Sequence, residues 1–164
     1  MISKKGLILT ITILGAITIA SSAVWFIPTN FAMVEIVQNF DDHLDGVKNI
    51  YDSINDHNQD SFKQFLNDDI TFEQYAYGVQ ISTDQINEQI IRLVKSQADD
   101  EWVESYVIFI NALREYNSYL RDTILVAEML SAESSDGIEE KLENIRSRLA
   151  NVERMIEQSY TSRP

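Results

Sequence analysis

Two histidines are the side chains of this chain best suited to bind a transition metal, and their spacing limits what they can do. His43 and His57 are its only histidines and lie 14 residues apart. On one continuous helix, a rise of ~1.5 Å per residue separates them by roughly 21 Å, so they cannot share a metal ion within one chain. Each follows an aspartate, which leaves a single-histidine copper or zinc site as the functional alternative. We favour the simpler interpretation, in which both are solvated side chains on the flank of a helix.

Carboxylates form a second group with possible chemistry, at Asp41, Asp42 and Asp45. On a helix these residues lie within little more than one turn, where three carboxylates could bind calcium weakly. An EF-hand adds alternating acidic residues and a glycine at the sharp turn of its loop, and the sequence lacks this pattern. The sequence therefore favours three exposed charges over a calcium site.

Motifs of known enzyme classes are missing from the sequence. It contains neither the Glu-x-x-His ligand pair of di-iron bundles nor His-Glu-x-x-His, and it has no Gly-rich phosphate loop and no Gly-x-Ser-x-Gly elbow. Because it has no cysteine, it also lacks disulfides, thiolate ligands and thiol nucleophiles. We therefore predict a protein that is not an enzyme, with no catalytic residue, no metal site and no cofactor.

Aromatic and amide side chains form the most distinctive polar group. Tyrosines at helical spacings are usually core or flank residues whose hydroxyls reach the edge of a bundle. If a small ligand or a partner binds between helices, however, this group is where it would bind, with Ser82 and Asn111 as polar interruptions that face the interior. The candidate contact residues are Ser82, Trp102, Tyr106, Asn111, Tyr116, Asn117 and Tyr119.

The elements that carry these residues are predicted to be helices. Between Thr29 and Arg163 the sequence has no proline and only three glycines, as is typical of helical proteins. Apolar residues recur at steps of three and four in four segments, which indicates four amphipathic helices. These segments cover residues 37–66, 72–97, 102–130 and 138–156.

Sequence signals between the four segments indicate where helices begin. Thr71 and Gln74 resemble a capping box, the negative charge of Asp99 and Asp100 suits a helix start, and a break with cap residues covers residues 134–137. Short connections favour antiparallel neighbours, so we predict an all-α fold with an antiparallel four-helix bundle and heptad-like packing. A helical hairpin that dimerises through the same apolar stripes is the alternative.

An apolar segment precedes the predicted bundle. Residues 7–27 form a run of 21 residues without a charge, long enough as a helix to cross the ~30 Å hydrocarbon layer of a bilayer. Trp25 and Phe26 then suit the membrane interface. A cleaved signal peptide with a core at residues 7–19 and small residues at 21–23 is the alternative, but the run continues to Ile27 and favours a retained transmembrane helix.

Charges around the apolar segment predict its orientation. Lys4 and Lys5 precede it, whereas acidic residues follow it, so the positive-inside rule places the N-terminus in the cytoplasm. We predict a single-pass cell-membrane protein whose bulk is extracytoplasmic. Its parts are a short cytoplasmic N-terminus (1–5), a transmembrane anchor (6–28), an extracytoplasmic helical bundle (31–160) and a C-terminal tail (161–164).

The chain is strongly acidic along its whole length after the apolar segment. It carries 13 Lys and Arg against 26 Asp and Glu, a formal net charge of −13. Such a surface repels phosphate backbones, because nucleic-acid binding relies on Lys and Arg. The acidity indicates either a solvated surface kept soluble by self-repulsion or attraction to a cationic partner.

Three short segments carry a resemblance to a group of proteins: residues 25–28 (Trp-Phe-Ile-Pro), residues 43–50 (His-Leu-Asp-Gly-Val-Lys-Asn-Ile) and residues 104–106 (Glu-Ser-Tyr). With its acidic helical body behind one span, the chain resembles small uncharacterised single-pass helical membrane proteins of ammonia-oxidising archaea. The resemblance extends over nearly the whole chain without a diagnostic motif. Because some proteins of that kind accompany the membrane monooxygenase, it implies an accessory-subunit role.

The sequence as a whole predicts a non-enzymatic, membrane-anchored interaction or accessory subunit of a membrane complex. A larger complex or a second copy of the chain would be its protein partner. The alternative is a ligand-sensing helical ectodomain. Because only residues 1–5 would lie in the cytoplasm, such a sensor would have to work through a partner protein.

Overall fold

A computed structural model of the chain describes residues 37–132 and 137–164. In these residues four helices follow one another: α1 (Phe40–Leu66), α2 (Phe72–Lys95), α3 (Val103–Ser131) and α4 (Ile138–Thr161). The described part is therefore a four-helix bundle, which confirms the predicted all-α fold. The predicted anchor, residues 6–28, lies outside the described residues, and none of the helices described here is long and apolar enough to cross a bilayer.

Side chains at the helix starts explain where α1 and α2 begin. Asn39 precedes α1, and its Oδ1 accepts the backbone N–H groups of Asp41 at 3.0 Å and Asp42 at 3.3 Å. Thr71 and Gln74 form the predicted capping box at α2: the Gln74 N–H donates to Thr71 Oγ1 at 3.3 Å and the Thr71 N–H to Gln74 Oε1 at 2.8 Å. These bonds satisfy amides that have no partner inside the helix.

The starts of α3 and α4 rely on the backbone instead. A turn leads into α3, in which the Trp102 N–H donates to the Asp99 carbonyl at 2.8 Å, and no side chain caps the helix. Gly137 precedes α4 with a φ of +75°, a left-handed conformation that favours glycine because it has no Cβ. The chain therefore enters α4 through a conformation that few other residues adopt without strain.

The helices run antiparallel, and each packs on the next one along the chain. α3 is central, since its backbone closely approaches those of α1, α2 and α4. No Cα atom of α1 comes within 8 Å of one in α4, so long side chains must connect these two helices.

The core consists of the predicted apolar stripes. In α1 the buried Leu44, Val47, Tyr51 and Ile54 follow steps of three, four and three, which confirms the heptad-like spacing there. Burying one large apolar side chain stabilises a fold by about 1.5–3 kcal/mol, so these contacts dominate the stability of the bundle. Other fully buried side chains include Val79, Ile86, Phe109, Leu113, Leu120 and Val152.

Alternating helix directions bring four helix termini together at each end. The starts of α1 and α3 and the ends of α2 and α4 meet at what we call the proximal end, where Ser105 Oγ donates to the Ser159 carbonyl at 2.8 Å. At the opposite, distal end, Phe65 of α1 stacks on Tyr75 of α2 with ring centroids 5.5 Å apart. The proximal end holds most of the inter-helix polar contacts described below.

Candidate functional site

An aromatic cluster at the proximal end contains two of the predicted contact residues, Trp102 and Tyr106. The ring of Phe40 lies 6.0 Å from that of Trp102 and 5.8 Å from that of Tyr106, with the latter pair edge to face. The Tyr106 hydroxyl lies 2.9 Å from His43 Nδ1. The cluster joins the start of α1 to the start of α3.

The two histidines differ in their surroundings. His57 is exposed, as predicted, whereas His43 is half-buried and bonded to Tyr106, so the prediction of a solvated histidine was wrong for His43. Sequence spacing gave no indication of this contact, because 63 residues separate the two partners. Within residues 37–132 and 137–164, no group of three or more His, Asp or Glu side chains is placed to hold a metal ion.

A second polar cluster at the proximal end joins α1 to the end of α4, and we call it the clasp. Asp45 Oδ1 accepts a hydrogen bond of 2.8 Å from the Tyr160 hydroxyl and one of 2.9 Å from Arg163 Nη2. Arg163 Nη1 also donates to Asp41. The guanidinium carbon lies 3.6 Å from the centroid of the Tyr160 ring, so Arg163 combines ion pairing with a cation–π contact.

Protonation in the clasp follows from these contacts. The Tyr160 hydroxyl and then the Arg163 guanidinium lower the pKa of Asp45. Burial and then the hydrogen bond to Asp45 raise the pKa of Tyr160 to about 12. At neutral pH the clasp therefore contains a carboxylate, a neutral phenol and a guanidinium.

The clasp also settles what the three aspartates at the start of α1 contact. Arg163 binds Asp41 and Asp45, and Asp42 accepts a hydrogen bond of 2.8 Å from Asn39 Nδ2. Asp41 and Asp42 are exposed and the side chain of Asp45 is 50% exposed, as expected of exposed charges, but the sequence gave no indication that a guanidinium pairs with two of them. Arg163 belongs to the predicted C-terminal tail and Thr161 ends α4, so these residues are part of the bundle.

Tyr116 and Tyr119, two further predicted contact residues, lie in the interior. The Tyr116 ring is edge-on to Tyr51 at 5.0 Å and stacks on Tyr119 at 5.3 Å. Among the described residues, the Tyr51 hydroxyl and the Oδ1 atom of Asn55 are buried without a hydrogen-bond partner, whereas the Asn58 side chain interacts with the buried Tyr116 hydroxyl. Burial raises the pKa of both tyrosines, so their hydroxyls stay protonated. A buried polar group without a partner costs about 1–3 kcal/mol, which makes this cluster a weak point of the core.

Ser82 and Asn117 lie between α2 and α3. Ser82 is buried and donates to the Gly78 carbonyl of its own helix at 3.0 Å. Asn117 Nδ2 donates to Asn87 Oδ1 at 2.8 Å and so links the two helices. Both side chains therefore form hydrogen bonds within the bundle.

Asn111 does not face the interior, contrary to the prediction. It is exposed, and its Oδ1 lies 3.5 Å from Arg114 Nη1. The reason is helix geometry: two residues separate Asn111 from the buried Phe109, which corresponds to a rotation of about 200° around the helix. The seven predicted contact residues are therefore spread over the proximal end, the core, the α2–α3 contact and the outside of α3.

Open clefts run between neighbouring helices. One of about 460 Å³ lies between α1 and α2 at the proximal end, and a second of about 400 Å³ continues from it, with Ile50 lining both. A third, of about 610 Å³, lies between α3 and α4, where Arg148 binds Glu115 at 2.7 Å and Asp122 at 2.9 Å. In this third cleft the positive charge of Arg148 is therefore already paired with the negative charges of Glu115 and Asp122.

The side of α3 that faces away from the core is unusually apolar, and sequence reasoning missed it. Val103, Val107 and Leu125 are 43%, 49% and 41% exposed, and Ile110 is half-buried. Val94 of α2 is 57% exposed. The signal is present in the sequence as a second stripe with steps of three and four beside the core stripe of α3.

No protein-family model matches this chain, and no curated protein or solved structure shows significant similarity to it. The functional assignment therefore depends on the chain's own residues and their geometry.

Proposed function

We propose that this protein is a non-enzymatic interaction or accessory subunit, in which a membrane-anchored helical bundle docks onto a larger membrane complex. The observation that carries the proposal is the apolar outer face of α3, where Val103, Val107 and Leu125 are each more than 40% exposed. Val103 and Val107 lie about one helical turn apart on this face, and clustered exposed apolar side chains are typical of protein contact sites. The chain's high negative charge elsewhere makes this face distinct.

The rigidity of the bundle supports a docking role. The aromatic cluster and the clasp fix the proximal end, since the clasp joins α1 to the last turn of α4. A surface that is already ordered loses little conformational entropy on binding. The outer face of α3 belongs to a helix of 29 residues, so it is already ordered before a partner binds.

Location remains part of the proposal. The predicted span at residues 6–28, with Lys4 and Lys5 before it, would hold the N-terminus in the cytoplasm and the bundle outside. The resemblance to single-pass proteins of ammonia-oxidising archaea favours a membrane monooxygenase as the complex. A homo-oligomer is the other form that this class of function could take.

The decisive experiment is purification of the full-length tagged protein from its native membranes in mild detergent, followed by native mass spectrometry. We expect the mass of a complex with at least one other membrane subunit, with the N-terminal segment retained. A protein that is alone and monomeric would overturn the interaction role, and a chain beginning near Val24 would overturn the anchor.

A ligand-sensing ectodomain is the second candidate. The Tyr51 hydroxyl and the Oδ1 atom of Asn55, which have no hydrogen-bond partner among the described residues, favour it, because a polar ligand could satisfy them. A thermal-shift screen of the full chain in detergent distinguishes the two: a compound that raises the melting temperature in proportion to occupancy favours sensing. Loss of that shift in Tyr51→Phe would tie the compound to the core.

A further inference from the structure

We infer that the outer face of α3 binds an amphipathic partner helix that carries acidic side chains between apolar ones. This inference rests on the proposed interaction role and names the chemistry of the partner. It follows from the order and exposure of the residues along one stripe of α3. It also depends on two arginines of this stripe that have no carboxylate partner among the described residues.

The stripe follows the side of α3 opposite the core. Its residues recur at steps of four, three, four, seven and four, the spacing at which one helix contacts another. The stripe, which we call the docking stripe, consists of Val103, Val107, Ile110, Arg114, Arg121 and Leu125.

Val94 of α2 extends the apolar part of the docking stripe. The hydrogen bond between Asn87 and Asn117 fixes the register of α2 against α3. Val94 lies seven residues after Asn87 in α2, and Ile110 lies seven residues before Asn117 in α3. Because the two helices are antiparallel, Val94 and Ile110 therefore lie at the same level along the bundle. The apolar surface therefore spans two helices at its proximal half.

Among the described residues, the two arginines of the docking stripe have no carboxylate partner. Arg114 donates to Asn111 and Arg121 donates to Ser118 at 3.0 Å, and neither forms an ion pair within the described residues. By contrast, Arg148 and Arg163 each bind two carboxylates. In a chain with 26 acidic residues, the docking stripe holds two exposed guanidiniums and no acid between Val103 and Leu125, so this length of it is complementary to an acidic partner. Glu128, the next residue on the same side of α3, marks its end.

The geometry specifies the partner further. Seven residues separate Arg114 from Arg121, which corresponds to two helical turns or about 10.5 Å. Guanidinium groups bind carboxylates through paired hydrogen bonds. A partner helix with two acidic residues seven positions apart and apolar residues on both sides would match the order apolar, basic, basic, apolar.

Two other occupants fit less well. A symmetric dimer through the docking stripe would centre on Arg114, since this residue lies midway between Val103 and Leu125, and would oppose two like charges. An anionic membrane is usually recognised by four to eight clustered basic residues, whereas the docking stripe has two. A protein helix is therefore the occupant that the charges favour.

The test uses the full-length protein in its native membranes with a photo-reactive amino acid at Val107, compared with one at Ala150, an exposed position of α4. We expect a crosslink at Val107 to a peptide of another subunit that has the acidic and apolar pattern described above, and none to that peptide at Ala150. Arg114→Glu with Arg121→Glu should reduce the crosslink and the co-purified subunit by about tenfold or more.

A matched control separates this face from general charge effects. Arg146 and Arg154 are exposed on α4, so Arg146→Glu with Arg154→Glu makes the same change in net charge and should leave the complex intact. Crosslinking of Val107 to lipid alone, to a second copy or to a peptide without acidic residues would overturn the inference. A complex that survives the Arg114 and Arg121 changes would overturn it while leaving the interaction role standing, and the absence of any complex would overturn both.

Discussion

The hydroxyl of Tyr160 donates a hydrogen bond of 2.8 Å to the carboxylate of Asp45, which lies 115 residues earlier in the chain. This contact joins the first turns of α1 to the last turn of α4, two helices whose backbones stay apart. Arg163 binds the same carboxylate and stacks on the Tyr160 ring. The closure of the bundle at its proximal end therefore depends on three side chains and on their protonation.

Acid should weaken this closure. The pKa of Asp45 is lowered by Tyr160 and then by Arg163 from an ordinary value of 3.8. A carboxyl whose pKa is lower in the folded state stabilises the fold above its unfolded pKa, and this stabilisation is lost as the pH falls through the folded pKa. We expect the urea midpoint of the wild type to fall more steeply below about pH 5 than that of Asp45→Asn.

A control for this pH effect is Asp56→Asn, which changes an exposed aspartate of α1 outside the clasp. It should keep the acid profile of the wild type. Identical profiles for wild type and Asp45→Asn would contradict a stabilising carboxylate at Asp45.

Alkali should weaken the clasp through Tyr160. Burial and the bond to Asp45 raise the pKa of Tyr160 to about 12 from an ordinary 10.0. A group whose pKa is higher in the folded state stabilises the fold fully below its unfolded pKa, and this stabilisation is lost as the pH rises through the folded pKa. Tyr160→Phe should therefore lower the free energy of unfolding by about 0.5–1.5 kcal/mol at pH 7.

We expect the wild type to lose stability between pH 10 and 12 and the same variant to lose less of it. Denaturant unfolding across this range, followed by circular dichroism, measures both effects. A wild type and variant that lose stability in parallel above pH 10 would show that the tyrosine is not held protonated by the fold.

Two tyrosines, Tyr51 of α1 and Tyr106 of α3, should respond in opposite ways to loss of the hydroxyl. Tyr51 is buried and its hydroxyl has no hydrogen-bond partner among the described residues, so Tyr51→Phe removes a desolvated polar group and should stabilise the fold by about 1 kcal/mol. The Tyr106 hydroxyl lies 2.9 Å from His43 Nδ1, so Tyr106→Phe should destabilise by about 1 kcal/mol. Chemical denaturation of both variants at pH 7 measures the contrast, and a destabilised Tyr51→Phe would indicate that the core hydroxyl is bonded.

Local signals predicted the helices well because they depend on neighbours in the sequence. The capping box of Thr71 and Gln74 starts α2 where predicted, and the stripe from Leu44 to Ile54 is buried as its spacing indicated. Such features require only the helical period and a nearby cap. The positions of the four helices could therefore be predicted to within a few residues.

The contacts of the candidate site could not be predicted in the same way. His43 meets Tyr106, and Asp45 meets Tyr160, only after helices far apart in sequence have packed at a particular register. The helical periodicity of the sequence does not specify the register at which two helices pack. Asn111 is different, since its rotation of about 200° from Phe109 could have placed it outside from the sequence alone.

Gly137 and Gly46 should respond differently when alanine replaces them. Gly137 starts α4 at a φ of +75°, where a side chain strains the backbone, so Gly137→Ala should destabilise the fold by about 1 kcal/mol. Gly46 lies inside α1, and an added Cβ there would meet nothing within 4 Å. Because alanine favours the helix over glycine, Gly46→Ala should instead stabilise by about 0.5–1 kcal/mol. Thermal unfolding of the two variants should shift the midpoint in opposite directions, and a higher midpoint for Gly137→Ala would contradict the left-handed start of α4.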